Sequence, residues 1–421
     1  MCAIWHCIHI LTVAILATAA RVLAVFFPKL RTRHHILRLQ TSSLQQQSGD
    51  RLTFWFHAAS AGELEQIKPL IRLVRSRYPE ASITVSVFSP SAYREHPDVP
   101  YNKLFLLPYD TPWNARRFIE GIHPRVVIVS RYDLWWNIVH QLSKRKIPII
   151  LVNATFPSSG LSNLLRSYYR CLYNQLSMVI ARSPTHAERF RHLQVATPLL
   201  TLPDTRIDQL AAIASKVSPI HPPFLDTRRF RLILGSTWHT DERLWAKAWN
   251  MLDQHIRQQL QLIIVPHEPT PRTCKRLLRL FNESVLSSEA VDSNTQAPVV
   301  VVNQIGILSS LYRYASAAYV GGGFGAGVHS LIEPAMAGIP VSCGPRIRRS
   351  DDAYDLLHHE SLRIINSSHH AIAWVQELLD NDSLQLRARR YAHTLAEVVG
   401  VSEKVMGWIE QLVKEHESIE P

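Results

Sequence analysis

Short apolar runs alternate with amphipathic segments of helical length along most of this 421-residue chain. The runs of the first series are residues 52–56, 82–88, 103–107, 126–129, 148–152 and 178–181. Helix-length segments at 63–78, 113–121 and 135–144 separate several of them. Strands that alternate with helices in this way predict an α/β fold, in which helices cover both faces of a parallel sheet.

The alternation pauses over residues 213–229, which carry Pro219, Pro222 and Pro223, and then resumes. The runs of the second series are residues 231–234, 260–265, 299–302, 317–320 and 339–342. A single domain rarely exceeds about 250–300 residues, so we predict two doubly wound, Rossmann-like domains at 51–214 and 215–385. Because such sheets bind ligands beyond the carboxyl ends of their strands, the two domains are expected to face each other across a cleft that holds the site. Amphipathic helices at 386–421 follow and are expected to cross back to the first domain.

The chain is basic, with 46 Lys and Arg against 34 Asp and Glu and a formal charge of +12. Nucleic acid, an anionic membrane and a phosphorylated substrate are all compatible with this charge. Zinc-finger, RNP and basic-zipper signatures are absent from the sequence, so nucleic acid is not predicted as a partner. The five cysteines include no C-x-x-C pair, which argues against a disulfide framework or a structural zinc site and permits a reducing compartment.

The N-terminus has an apolar stretch at residues 8–27, interrupted by His9, Thr12, Thr18 and Arg21. Its length and the basic cluster that follows favour a spanning or half-inserted membrane anchor, here assigned to residues 1–38 and followed by a polar linker at 39–50. A cleaved signal peptide is a second reading, because residues 17–19 are small, although no Lys or Arg precedes the run. A buried soluble helix is the third, and Arg21 supports it. The basic cluster comprises Lys29, Arg31, Arg33 and Arg38.

The segment Phe56-His-Ala-Ala-Ser-Ala-Gly-Glu63 follows a predicted strand and opens a predicted helix. Its small residues permit close approach of a ligand to the backbone. Glu63 would then lie in the first helical turn, where the helix dipole stabilises a carboxylate. One interpretation is an ordinary helix start with a well-placed acid. The other is a general base exposed at the rim of the cleft.

Two further strand ends predict phosphate-binding loops. The turn Gly235-Ser236-Thr237 offers hydroxyl and backbone N–H groups at a helix start, although an ordinary turn uses the same residues. Residues 321–327 contain five glycines in seven positions but match neither the dinucleotide fingerprint nor the P-loop. We interpret them as a ligand loop, after which Ser330 would face an anion and Glu333 would accept hydrogen bonds from ribose hydroxyls.

His267 and Arg206 also follow predicted strands, and each has two interpretations. A lone histidine such as His267 is commonly a satisfied structural group, but it can contact a ligand. Arg206 lies between Asp204 and Asp208 and could simply be paired with them. Alternatively, Arg206 would neutralise charge on a leaving phosphate.

Taken in order, these motifs resemble the transferases of 3-deoxy-D-manno-octulosonic acid (Kdo) in lipopolysaccharide synthesis. The resemblance covers about residues 52–400 and rests on the segments at 56–63, 133–137, 204–208, 235–238, 265–267, 321–334, 338–341 and 344–345. It implies the two-domain GT-B fold and an anchor at the cytoplasmic face of the cell inner membrane. It further implies transfer of Kdo from its CMP ester, CMP-Kdo, to a lipid A precursor, lipid IVA.

The resemblance also assigns roles to individual residues. Glu63 matches the catalytic base, and Arg206 matches a basic residue that stabilises the transition state. Gly235, Ser236 and Thr237 would lie close to the donor phosphate. CMP-Kdo is a substrate, and neither a cofactor nor a metal is expected. The CMP site would comprise Pro266, His267, Ile305, Gly306, Ile307, Ser330, Leu331, Ile332 and Glu333.

One motif departs from the family pattern. Arg131 stands where the family has an acid that helps in the transition state, whereas Asp133 keeps the second acid, one methylene shorter. Both remain candidates for a transition-state or acceptor site. The departure leaves an alternative function open, that of a membrane-tethered GT-B protein that binds a nucleotide sugar but has lost or changed its transfer activity.

Overall fold

The computed structural model describes residues 1–44, 51–94, 96, 98–156, 165–215, 222–226, 228–289, 297–325, 327–348 and 350–417. These residues form two compact units. Unit 1 comprises Met1–Gln209 and Gly400–Pro421, and unit 2 comprises Leu210–Val399. The predicted linker residues 45–50, Pro219 of the pause between the two series and Ala326 of the glycine-rich loop lie outside the described residues.

Unit 1 is built on a parallel seven-stranded sheet, as the sequence predicts. Its order, β3-β2-β1-β4-β5-β6-β7, is doubly wound. Of these strands, β7 lies outside the runs of the first series, although a strand was expected before Arg206. The strands are β1 (Thr53–Ala58), β2 (Ser82–Val87), β3 (Lys103–Leu106), β4 (Val126–Ser130), β5 (Ile149–Ala154), β6 (Met178–Ala181) and β7 (Leu199–Thr201).

Alternate strand residues face opposite layers of helices in unit 1, as the two-residue period of a strand requires. Trp55 and Val127 pack with the first layer, whereas Phe54 and Ile128 pack with the second. The helices are α1 (Cys2–Leu23), α2 (Pro28–Leu44), α3 (Ala61–Arg77), α4 (Pro112–Ile122), α5 (Trp136–Lys144), α6 (Arg166–Tyr173), α7 (Pro184–His192), α8 (Arg206–Ser215, which continues into unit 2) and α17 (Val401–Glu417).

Helix α1 is long and apolar enough to cross a membrane, yet one of its faces packs on unit 1. Trp5 Nε1 donates to Ser167 Oγ at 2.8 Å, and His9 Nε2 lies 2.8 Å from Asp110 Oδ2. A disulfide joins Cys2 to Cys171 of α6. The opposite face leaves apolar side chains 47–65% exposed, namely Ile4, Ile8, Leu11, Ile15 and Val22. Just after α1, Phe26 and Phe27 are 74% and 55% exposed.

Two expectations for the segment after α1 are wrong. The polar linker does not begin at residue 39, because α2 continues through Leu44. Gln40 exchanges two hydrogen bonds with the backbone of Leu106, and Leu44 packs in the core. Arg33, a member of the basic cluster that favours a membrane anchor, is not at the surface: it is buried and donates to the carbonyls of Phe88 and Leu107.

Unit 2 contains a second parallel seven-stranded sheet, in the order β10-β11-β9-β8-β12-β13-β14. Of these, β10 and β14 were not predicted. The strands are β8 (Phe230–Thr237), β9 (Leu260–Pro266), β10 (Ser284–Leu286), β11 (Val299–Val301), β12 (Ala317–Val320), β13 (Val341–Cys343) and β14 (Leu362–Ile364). The helices are α9 (His239–Met251), α10 (Gln254–Gln259), α11 (Pro271–Leu280), α12 (Leu308–Leu311), α13 (Ile332–Met336), α14 (Asp351–His358), α15 (Ser368–Asp380) and α16 (Ser383–Glu397).

Candidate active site

Three candidate site residues of unit 1 follow two adjacent strands, β1 and β4. These strands pair in parallel, with His57 opposite Val129. The chain leaves β1 toward β2 on one side and leaves β4 toward β5 on the other. A crevice forms at such a switch point in doubly wound sheets and is their usual place for ligands. Glu63 follows β1, and Arg131 and Asp133 follow β4.

Glu63 is the third residue of α3 and is only 6% exposed, so the expectation of an exposed carboxylate is wrong. Ser60 caps the helix by accepting a hydrogen bond from the Glu63 N–H, and Glu63 Oε2 in turn accepts from Ala59 N–H at 2.7 Å. Burial raises the pKa of Glu63 above its ordinary value, and the negative charge of Asp133 raises it further. The Ala59 hydrogen bond and the charges of Arg131 and His57 act in the opposite direction.

Arg131 occupies a strained position in the turn after β4. Its φ is +66°, a left-handed conformation that costs energy for a residue with a Cβ and is common at functional sites. Hydrogen bonds hold it there: Arg131 N–H donates to Val152 O, and Thr155 N–H donates to Arg131 O. The guanidinium carbon lies 5.5 Å from the centroid of the Tyr132 ring.

A chain of hydrogen bonds that the sequence analysis missed fixes Asp133. Trp55 Nε1 donates to Ser86 Oγ, Ser86 Oγ lies 2.8 Å from His57 Nδ1, and His57 Nε2 lies 2.8 Å from Asp133 Oδ2. The indole donates to Ser86 Oγ, which keeps a second lone pair and its own hydrogen for His57 Nδ1. A carboxylate oxygen accepts, so His57 Nε2 donates to Asp133 Oδ2.

Arg206 begins α8, and both neighbouring aspartates accept hydrogen bonds. Asp204 accepts from Gln66 Nε2 at 2.8 Å and from the Arg206 backbone N–H at 2.9 Å. Asp208 accepts from the backbone N–H groups of Gly400 and Ser402. Both interpretations of Arg206, as an ion-pair partner of these aspartates and as a group that meets a leaving phosphate, stay open.

Unit 2 has its own switch point, between the paired strands β8 and β12. The turn at Gly235, Ser236 and Thr237 ends β8, and the glycine-rich loop follows β12. Asp241, buried to 1% exposure, ties the two together. Its Oδ2 accepts from Trp238 N–H at 2.9 Å and from Gly322 N–H at 3.1 Å. Sequence reasoning missed Asp241, which lies inside α9.

The glycine-rich loop approaches neighbouring backbone too closely for a side chain. A Cβ on Gly321 would overlap the Ser236 carbonyl oxygen, and a Cβ on Gly323 would lie 2.6 Å from Gly344 Cα. The predicted need for close backbone approach is therefore met by the protein's own turns, at Ser236 and Gly344. Gly325, in contrast, has space for a methyl group, because the nearest atom is 3.7 Å away.

Of the residues expected to bind CMP, Pro266 ends β9 and His267 follows it. His267 N–H donates to Thr237 O at 3.0 Å, so these two predicted segments meet. Its ring stacks on Trp238 and His329, with centroids 4.6 and 4.4 Å away. Trp238 Nε1 donates to His329 Nε2, and burial, with the charge of His267 adding to it, lowers the pKa of His329 to about 4. Trp238 and His329 are functional candidates that the sequence analysis did not single out.

The two other predicted CMP segments also meet in unit 2. Ser309 Oγ of α12 donates to Glu333 Oε2 of α13 at 2.6 Å, which brings residues 305–307 and 330–333 together. Ile305 is 85% exposed, and Gly306 has a φ of +88°. Ser330 Oγ is buried and has no hydrogen-bond partner among the described residues, as expected for a group that awaits a ligand. Leu331 and Ile332 are buried in the core, so a ligand could reach only their backbone.

Comparison with known proteins finds relatives of this chain. A family model described as 3-deoxy-D-manno-octulosonic-acid transferase (kdotransferase) matches residues 30–209. The 3-deoxy-D-manno-octulosonic acid transferase of Haemophilus influenzae is 24% identical, with 78% of this chain and 79% of that protein covered. The enzyme of the same name from Aquifex aeolicus is 28% identical, with 80% and 85% covered. The chain is a relative of the Kdo transferases.

This relationship confirms the predicted resemblance and the enzyme class, a glycosyltransferase. Among solved structures, a putative UDP-N-acetylglucosamine 2-epimerase from Listeria monocytogenes matches with a TM-score of 0.60. It is 12% identical, with 87% of this chain and 97% of that chain covered, so the match shows the fold alone. The predicted α/β fold of the GT-B class is confirmed.

The described residues of this Kdo transferase relative include no group of three His, Cys, Asp or Glu side chains able to hold a metal ion. What they do provide is the buried Glu63 carboxylate with its raised pKa in unit 1 and a set of hydroxyl, imidazole and backbone N–H groups in unit 2. The first can accept a proton, and the second can bind an anion.

Proposed function

We propose that the chain transfers Kdo from CMP-Kdo to a lipid A precursor such as lipid IVA. The observation that carries the proposal is the buried Glu63 carboxylate at the β1/β4 switch point, fixed by Ala59 N–H and facing Asp133 and Arg131. A general base needs a fixed carboxylate whose pKa is raised toward the working pH.

The reaction forms one bond and breaks another. An acceptor hydroxyl attacks the anomeric carbon of Kdo, and its proton passes to Glu63. The bond from that carbon to the phosphate oxygen breaks, and CMP leaves with the electron pair. Arg206, Ser330 and the N–H groups of the glycine-rich loop offset the charge on the phosphate. Glu333 accepts from the ribose hydroxyls, which adds affinity for the donor.

The proposed membrane attachment follows from α1. A helix with one face held to unit 1 by hydrogen bonds has only the other face available for lipid. Its exposed apolar side chains would lie in the interfacial region of the bilayer, so α1 rests in the membrane surface rather than crossing it. This attachment, at the cytoplasmic face of the inner membrane, would bring the protein to a lipid acceptor.

The direct test is to incubate the purified protein with CMP-Kdo and lipid IVA and to measure the mass of the lipid product by mass spectrometry. Addition of one or more Kdo masses with release of CMP is the expected result. CMP-Kdo binding without any transfer would identify the alternative, a tethered nucleotide-sugar-binding protein. Transfer from another sugar nucleotide only would overturn the donor assignment.

Removal of either charge that faces Glu63 is expected to shift the pH profile of activity, and the two removals shift it in opposite directions. The base acts when deprotonated, so activity falls as the pH drops through the pKa of Glu63. Asp133→Asn removes a negative charge, lowers that pKa and moves the acid limb of kcat/KM to lower pH. Arg131→Gln removes a positive charge and moves the limb to higher pH.

The measurement is kcat/KM against pH for both variants, with Glu188→Gln, an exposed acid on α7, as the control. His57 also faces Glu63, and Arg33 faces Asp133, so both residues stay unchanged. Structural damage would lower kcat/KM at every pH, and the acid limbs of the two variants would then stay at the same pH. Shifts in the same direction in both variants would count against Glu63 as the base.

A further inference from the structure

Unit 1 contains a cavity that the proposed reaction does not use. It lies where α1, α2 and α4 meet and has a volume of about 530 Å³, which is ample for a small ligand. Three arginines line it, one from each helix: Arg21, Arg38 and Arg117. Its described lining residues include no carboxylate.

The three arginines have no ion pair with any described acidic residue. Arg117 instead lies over the ring of Trp113, with its guanidinium carbon 5.1 Å from the centroid. Like charges that converge on one cavity raise its potential and attract an anion. Guanidinium groups suit phosphate in particular, because their N–H groups match its oxygens in pairs.

A fourth polar group at this cavity also lacks a partner. His34 Nδ1 lies 2.9 Å from Leu30 O, so Nδ1 carries the hydrogen of that bond. The other ring nitrogen, Nε2, is buried and has no hydrogen-bond partner among the described residues. With its hydrogen on Nδ1, the ring leaves Nε2 as an acceptor, which suits a hydroxyl of a head group rather than a phosphate oxygen.

Apart from the amides of Gln40 and Asn114, the rest of the lining is apolar or aromatic, as an amphiphile requires. Leu37, Leu44 and Phe118 contribute hydrocarbon, and Tyr109 and Trp113 contribute rings of the kind that favour membrane interfaces. Trp113 is 65% exposed, and the chain just after Arg21 carries the exposed Val22, Phe26 and Phe27. The cationic cavity therefore adjoins the apolar surface proposed to enter the bilayer.

We infer that this cavity binds the phosphate-bearing head group of a membrane lipid. The inference rests on the proposed membrane attachment but not on Kdo transfer. It also explains Arg21, the charge that interrupts the apolar stretch: the side chain turns from the lipid-facing surface to the cavity. The phosphate could belong to a bilayer phospholipid or to the lipid acceptor, and the two sources predict different measurements.

The test uses the full chain with Arg38→Gln and Arg117→Gln combined, and binding to vesicles of phosphatidylglycerol or of phosphatidylcholine. Each basic side chain near an anionic surface strengthens binding about fivefold, so we expect about thirtyfold weaker binding to phosphatidylglycerol. Binding to phosphatidylcholine, which depends on the apolar face of α1, should not change. The control is Arg116→Gln, the neighbouring arginine of α4, which pairs with Glu120 and does not line the cavity.

Loss of phosphatidylglycerol binding in the double variant alone supports a bilayer lipid as the source. Unchanged vesicle binding with a raised KM for lipid IVA supports the same site with the acceptor as the source. If neither quantity moves, or if Arg116→Gln has the same effect, the inference is overturned. The vesicle readout needs no transfer, so it stands apart from a failure of the proposed reaction.

Discussion

Replacement of Glu63 by Gln is expected to lower transfer of Kdo by about a hundredfold or more, the usual cost of losing a general base. The fold should persist, because the Gln side chain keeps an oxygen that can accept from Ala59 N–H, the 2.7 Å bond that Glu63 makes. Burial then favours the variant slightly, since an uncharged amide replaces a carboxylate whose pKa burial raises. Binding of CMP-Kdo should be nearly intact, because the residues assigned to CMP belong to unit 2.

The measurements are initial rates at saturating donor, donor affinity by calorimetry, and the thermal midpoint of unfolding. Glu80→Gln is the matched control, since Glu80 is an exposed carboxylate beyond the end of α3. Glu63→Asp keeps the carboxylate but withdraws it by one methylene, so its rate should fall between those of the parent and Glu63→Gln. Unchanged turnover in Glu63→Gln would remove this residue from its role.

The sheets were largely predictable from the sequence, and the strands that were missed share a physical reason. Strands 126–129, 178–181 and 317–320 are continuous apolar runs, and the structure places them inside the sheets within one residue of the prediction. The strands β7, β10 and β14 are edge strands of three residues. An edge strand has a neighbour on one side only and is less buried, so its sequence carries a weaker apolar signal.

The positions of site residues were predictable only where the order of strands and helices along the chain determines them. Segments that follow parallel strands meet at one edge of a sheet, which is why Glu63 was correctly placed in the first turn of α3. The burial of Glu63 was not predictable, because its neighbours Asp133 and Arg131 follow β4 and are distant from it in the sequence. For the same reason Arg33 was misread: nothing local indicates that its guanidinium donates to Phe88 O and Leu107 O.

Replacement of Gly323 by Ala is expected to weaken CMP-Kdo binding by about a hundredfold. The new methyl carbon would lie 2.6 Å from Gly344 Cα and 2.7 Å from Gly344 C and N, closer than such atoms can approach. All three are backbone atoms, which cannot rotate away as a flexible side chain would. Overpacking of this kind costs up to about 3 kcal/mol, equivalent to more than a hundredfold in affinity if the loop leaves its donor-binding position.

Gly325→Ala separates this effect from a general intolerance of side chains in the loop. Its methyl group would meet nothing closer than Gly322 O, at 3.7 Å, so donor affinity should stay near that of the parent. Donor affinity of both variants by calorimetry decides the matter, with circular dichroism to confirm folding. Equal affinities would mean that the contact between Gly323 and Gly344 does not hold the donor loop. Equal losses would mean that the loop needs glycine for flexibility instead, because Gly325 has room for a side chain and Gly323 does not.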